Sequence, residues 1–98
     1  MTNPNEAMLN ALRDVAITTE ILIKGLEARD LDKAHEAVSI MLMQGMNHFG
    51  PQSAVMKQFF PVWDAIKRHI DQSDPDRALG QARLWSKQLQ EVISIVQG

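Results

Sequence analysis

Leu26-Glu27-Ala28-Arg29-Asp30-Leu31-Asp32-Lys33-Ala34 is answered 44 residues later by Ile70-Asp71-Gln72-Ser73-Asp74-Pro75-Asp76-Arg77-Ala78. Each copy reads apolar residue, acid, two spacers, Asp, one spacer, Asp, base, Ala. The first Asp of that pattern suits a helix N-cap, and the second places a negative charge in the first turn, where the helix dipole favours it. Between the copies stands Asn47-His48-Phe49-Gly50-Pro51-Gln52, the midpoint of the 98 residues. The chain therefore reads as two helical hairpins joined at Gly50-Pro51.

Working outward, each flank of these turns carries a helical rhythm. Before the first turn, Met8, Leu12, Val15, Thr19, Leu22 and Leu26 alternate spacings of four and three, one apolar stripe of a first helix. Asn3 as cap, Pro4 at the first helical position and Glu6 three residues after the cap mark its start. Ala34, Val38, Met41 and Gly45, flanked by Ala37 and Leu42, make the stripe of a second helix ending near His48. After Gly50, Pro51 is expected at the first position of a third helix, with Val55, Phe59, Val62, Ile66 and Ile70 inside. Pro61 interrupts that run without shifting its phase, so a kinked, continuous helix is expected. Asp74-Pro75 opens a fourth helix, with Ala78, Ala82, Trp85, Leu89, Val92 and Val96 on its stripe.

Short connections make consecutive helices antiparallel neighbours. The fold class expected is all-α, an antiparallel up-down-up-down four-helix bundle built from two helical hairpins, with the third helix kinked at Pro61. Residues 1–98 form a single domain in this reading, large enough to bury roughly 60–70% of the unfolded surface. The layout resembles cytochrome b562-type bundles, as does the local run Met56-Lys57-Gln58-Phe59 followed by Trp63-Asp64, over about a third of the chain. Such bundles imply a haem held by Met and His. Here the fourth helix ends Ser94-Ile95-Val96-Gln97-Gly98 without a histidine, so the resemblance carries no haem site with Met8.

Composition narrows the function classes. Apolar residues make up 45% and charged residues 22%, with a net charge of -2, which favours neither a nucleic-acid surface nor an acidic tail. Residues 1–50 hold four bases and seven acids, and residues 51–98 six bases and five acids. The absence of cysteine removes disulfides, thiolate metal sites and cysteine nucleophiles. No apolar run approaches the ~18–20 residues needed to cross a bilayer, and the N-terminus lacks a signal-peptide pattern. A cytoplasmic location is expected, without membrane or nucleic-acid partners.

Candidate chemistry is thin. His35 and His48 lie roughly 20 Å apart along one helix, and His69 sits on another, so no shared metal is expected. The segment Ala37 to Met56 carries no Asp, Glu, Lys or Arg, yet holds Met41, Met43, Met46, His48 and Met56. Thioethers with imidazole suit copper(I), which makes a ligand or metal carrier the second reading. Methionines more commonly fill core gaps or form adaptable partner surfaces. Ser39, Ser53, Ser73, Ser86 and Ser94 have no base or oxyanion motif beside them, so no enzyme and no catalytic residues are expected. Lys67, Arg68, Arg77, Arg83 and Lys87 are interspersed with acids and read as a solvated face.

What remains is apolar residues off the stripes. At about 100° per residue, Ile17 and Ile21 fall opposite the first stripe, Ile40 and Met43 on the charged side of the second helix, and Leu84 and Ile95 off the fourth stripe. These six are the candidate partner-binding residues. The expected function is a small non-catalytic helical protein-binding module, an adaptor, anti-activator or secretion chaperone. It would dock to another protein or to itself as a homodimer, without cofactor or metal.

Overall fold

The computed structural model describes residues 4–98. Among them the chain forms helices α1 (Pro4–Glu27), α2 (Leu31–Phe49), α3 (Ala54–Asp71) and α4 (Pro75–Gln97), and no strand. The expected cap Asn3 lies outside the described residues. α1 packs on α2 and α4, and α3 packs on the same two helices. Principal extents of 45 × 23 × 18 Å fit a bundle two helix diameters thick, at ~10–12 Å each.

The two turns that resemble each other in sequence are built by the same hydrogen bonds. Arg29 and Ser73 both take the left-handed conformation, with φ of 57° and 58°. Behind them, Asp30 N–H donates to Gly25 O and Asp74 N–H to His69 O, each at 2.9 Å. Arg29 N–H reaches Leu26 O and Ser73 N–H reaches Ile70 O, completing the Schellman pattern at both helix ends. The same Asp then caps the next helix. Asp30 Oδ1 accepts from Lys33 N–H and Asp74 Oδ1 from Arg77 N–H, each at 3.1 Å. One residue thus closes one helix and opens the next, which is why three residues suffice for each turn.

The middle connection is different, and it corrects the sequence expectation. Pro51 does not open α3: it lies in a turn, and Ser53 is the cap. Ser53 Oγ accepts from Met56 N–H at 3.1 Å and donates to Gly50 O at 3.0 Å. A serine oxygen satisfies an orphan donor of the first turn, which proline cannot, so the helix begins after Ser53. Gly50, at φ 84°, takes a conformation that side chains rarely adopt. α3 then runs unbroken through Pro61, with Phe59 buried and Val62 half-buried.

The core repeats with the turns. Leu12, Val15, Thr19, Leu22 and Leu26 of α1 are buried, and so are Met56, Phe59, Trp63, Ile66 and Ile70, each 44 positions on. Ala34, Val38, Met41 and Gly45 of α2 correspond in the same way to Ala78, Ala82, Trp85 and Leu89 of α4, all buried. Three expected stripes need correcting. On α1, Met8 is only half-buried. On α3, Met56 and Trp63 are buried while Val55 and Val62 are only half-buried. On α4, Ile93 is buried while Val92 and Val96 are half-buried. The spacing of α3 admits both phases, and the space beside Gly45 selects the one that puts Trp63 inside. A Cβ on Gly45 would lie 2.5 Å from Trp63 Cζ3.

Trp63 and Trp85 meet edge to face at 5.4 Å between ring centroids, and Phe59 meets Trp85 at 4.8 Å. Such contacts add to plain burial. Trp85 Nε1–H donates to Thr19 Oγ at 3.0 Å, and Thr19 in turn donates to Val15 O at 2.8 Å. This chain ties α4 to α1 through a hydrogen bond that is buried and satisfied.

Candidate functional surface

All six residues singled out from the sequence are at the surface. Ile95 is 78% exposed, Ile17 63%, Met43 62% and Leu84 58%, with Ile21 and Ile40 a little lower. They do not form one patch. On α2, Gln44 accepts from the Thr18 hydroxyl of α1 at 2.8 Å, and His48 Nε2 lies 3.2 Å from Asp14. Ile40 stands one turn before Gln44 and so lies on the α1-facing flank of α2. Ile21, one turn after Thr18, borders the same seam from α1. Ile17 and Met43 extend this surface on either side.

Leu84 and Ile95 belong elsewhere. Gln88 and Val92 of α4 line a groove with Gln58 and Val62 of α3. Leu84 precedes Gln88 by one turn and Ile95 follows Val92 by one, so both lie on the α3 flank of α4. The exposed apolar surface is therefore divided between two sides of the bundle.

Sequence reasoning missed a third element. Met46 and Phe60 are 47% and 49% exposed. With Pro51, Met56, Lys57 and Pro61 they line a recess between the end of α2 and the start of α3. One signal was available: adjacent Phe59 and Phe60 point about 100° apart on a helix, so both cannot face one stripe.

The methionines serve different surroundings. Met41 is buried with its sulfur 3.6 Å from Thr19 Oγ, Met56 is buried against Gly45, and Met43 faces outward. Only Met46 and Met56 share the lining of the recess. Among the described residues no group of three His, Asp or Glu is placed to hold a metal ion. His35 Nε2 stands 3.8 Å from Asp71, on the opposite flank of α2 from the His48–Asp14 pair.

The bases on α3 and α4 are largely engaged by acids. Lys67 pairs with Asp71, Arg68 with Asp64, Arg77 with Asp74, and Arg83 with Glu27 of α1, leaving little free positive field. No helix among the described residues is long and apolar enough to cross a membrane. Compared with protein-family models, curated proteins and solved structures, the chain matches none.

Proposed function

We propose that this chain is a small non-catalytic helical binding module that works by docking to another protein or to a second copy of itself. A cytoplasmic adaptor, anti-activator or secretion chaperone is the role this reading describes. One observation carries it. Ile21 and Ile40 border one seam in the open, with Ile17 and Met43 beside them, although the bundle already has a filled core. Single exposed apolar residues are ordinary, but a group along one seam is a surface suited to being covered. Burying it would contribute about 25 cal/mol per Å² before association costs. The carrier alternative loses weight because Met41 and Met43 face opposite ways.

The same proposal includes the up-down-up-down course of the helices. Its support is the order of contacts: Gly25 adjoins Ala34 beside the turn, then Thr18 meets Gln44, then Asp14 meets His48. It also includes a kink at Pro61, since that residue has no N–H for Lys57 O and its ring crowds the preceding turn.

The test is Ile21→Glu with Met43→Glu, read by light scattering and by capture of partners, with circular dichroism to confirm the fold. Charges at these exposed positions should abolish assembly or capture and leave helicity intact. Unchanged assembly and capture in a folded double variant would reject the reading. Ile17 is left in place because it also borders a different groove.

A further inference from the structure

The 44-residue correspondence extends from the core to two surface recesses. One lies between α1 and α4 and is lined by Arg13, Ala16, Ile17 and Gln90, among others. The other lies between α3 and α2 and is lined by Lys57, Phe60, Pro61 and Met46, among others. Adding 44 to Arg13, Ala16 and Ile17 gives Lys57, Phe60 and Pro61, and subtracting 44 from Gln90 gives Met46. Each recess therefore joins the first helix of one hairpin to the second helix of the other. Both lie on the half of the bundle away from the two matched turns.

Each also has a base at the same place. Three bases recur at this offset: Arg13 with Lys57, Lys24 with Arg68, and Lys33 with Arg77. Arg68 and Arg77 are held by Asp64 and Asp74. Arg13 and Lys57 alone form a recurring pair in which neither member has an ion pair among the described residues. Beside each stands an apolar surface: Ile17 and Ile93 in the first recess, Met46 and Phe60 in the second. The volumes, about 520 and 340 Å³, are those of sites that take side chains or small ligands rather than single waters.

We propose that these recesses are two equivalent docking sites, each for an acidic amphipathic segment of a partner protein. A carboxylate meets Arg13 or Lys57 while a large apolar side chain covers Ile17 or Phe60. The unpaired cation decides the occupant. A basic segment would meet a like charge at the rim, and an uncharged one would leave the base without a counter-ion. Two such sites on one chain let it bind a partner that carries the segment twice, with avidity beyond that of either site. This inference rests on the docking reading above, but uses a surface that shares only Ile17 with the one bordered by Ile21 and Ile40.

The test uses the full chain and a labelled amphipathic peptide built from Leu, Trp, Glu and Ala, with a twin carrying Lys for every Glu. Titration calorimetry should give two peptides per chain for the acidic form and weak or no binding for the twin. Arg13→Glu and Lys57→Glu should each remove one site, seen as a fall to one peptide per chain. The double variant should bind at least about tenfold more weakly, and affinity should fall with salt, as for rim charges. Both positions are exposed, so these variants keep the fold. No saturable binding, equal binding of the basic twin, or a single site in the unaltered chain would each overturn the proposal. Binding to phosphatidylglycerol vesicles without binding to the peptide would do the same. Loss of peptide binding with assembly still sensitive to Ile21→Glu and Met43→Glu would reject these sites alone and leave the docking module standing.

Discussion

The first and second helix pairs, α1–α2 and α3–α4, share their turns, their caps and the positions they bury, but not the volumes they bury there. Where the first pair places Val15, Thr19, Met41 and Gly45, the second places Phe59, Trp63, Trp85 and Leu89. The exchange is reciprocal. Gly45 leaves room for the ring of Trp63, and Thr19 supplies the oxygen that Trp85 Nε1–H needs. Two copies of the first pair would leave cavities along this line, and two copies of the second would crowd four indoles into it. Both defects cost stability. Matching turns shape two similar helix pairs, while mismatched side chains specify that each packs on the other.

The largest test of this contrast compares Trp85→Ala with its counterpart Met41→Ala. Trp85 is fully enclosed and hydrogen-bonded, so its loss should cost about 3–5 kcal/mol in denaturant unfolding. Met41→Ala should cost less, about 2–3 kcal/mol, because neighbouring groups fill the space of an adaptable side chain more easily. Equal losses would show that the bulk of the second helix pair is not what holds the two together.

A smaller effect should appear with a change of sign. Gly45→Ala brings a Cβ within 2.5 Å of Trp63 and 2.7 Å of Met56 Sδ. Met56 can move, but the enclosed indole cannot, so a loss of about 1–3 kcal/mol is expected despite the better helix propensity of alanine. Gly80→Ala, on the exposed face of α4 with open space around it, should gain up to about 1 kcal/mol. If both glycines respond alike to thermal or chemical melting, close approach at Gly45 is not the reason for its glycine.

The smallest effect separates the two turns, which are otherwise alike. Ser73→Gly removes the steric cost of a left-handed serine and should stabilise by about 0.5–1 kcal/mol. Arg29→Gly should gain less, because it also deletes the exposed pair between Arg29 and Asp76. A larger gain at Arg29 would mean that this pair contributes nothing.

Much of this architecture was legible in the residues because the signals are local. A cap followed by an acid, a proline at Pro75, and spacings of three and four act within a few residues of backbone. So Asp30 and Asp74 were placed correctly, as were the inner faces of α2 and of α1 from Leu12 onward. Where two local signals competed, the reading slipped. Pro51 and Ser53 both suit a helix start, and the hydroxyl that reaches Met56 N–H won. The candidate surface was legible in part: all six chosen residues are exposed, but their grouping depends on which helix lies beside which. The recess around Met46 and Phe60 escaped notice because its walls come from two helices and the turn between them.

By itself the sequence determined four helices, the two turns capped by Asp30 and Asp74, and the existence of an apolar face on each helix. These follow from backbone hydrogen bonding and periodicity, which need no partner. Only the tertiary structure decided the phase of α3 and α4, with Trp63 rather than Val62 turned fully inward and Ile93 rather than Val92. It alone paired Trp85 with Thr19 and brought the two 44-related recesses into being. A helix carries several possible inner faces of similar apolar character. The one that is buried is set by the space its neighbours leave, and for α3 that space is the missing side chain of Gly45.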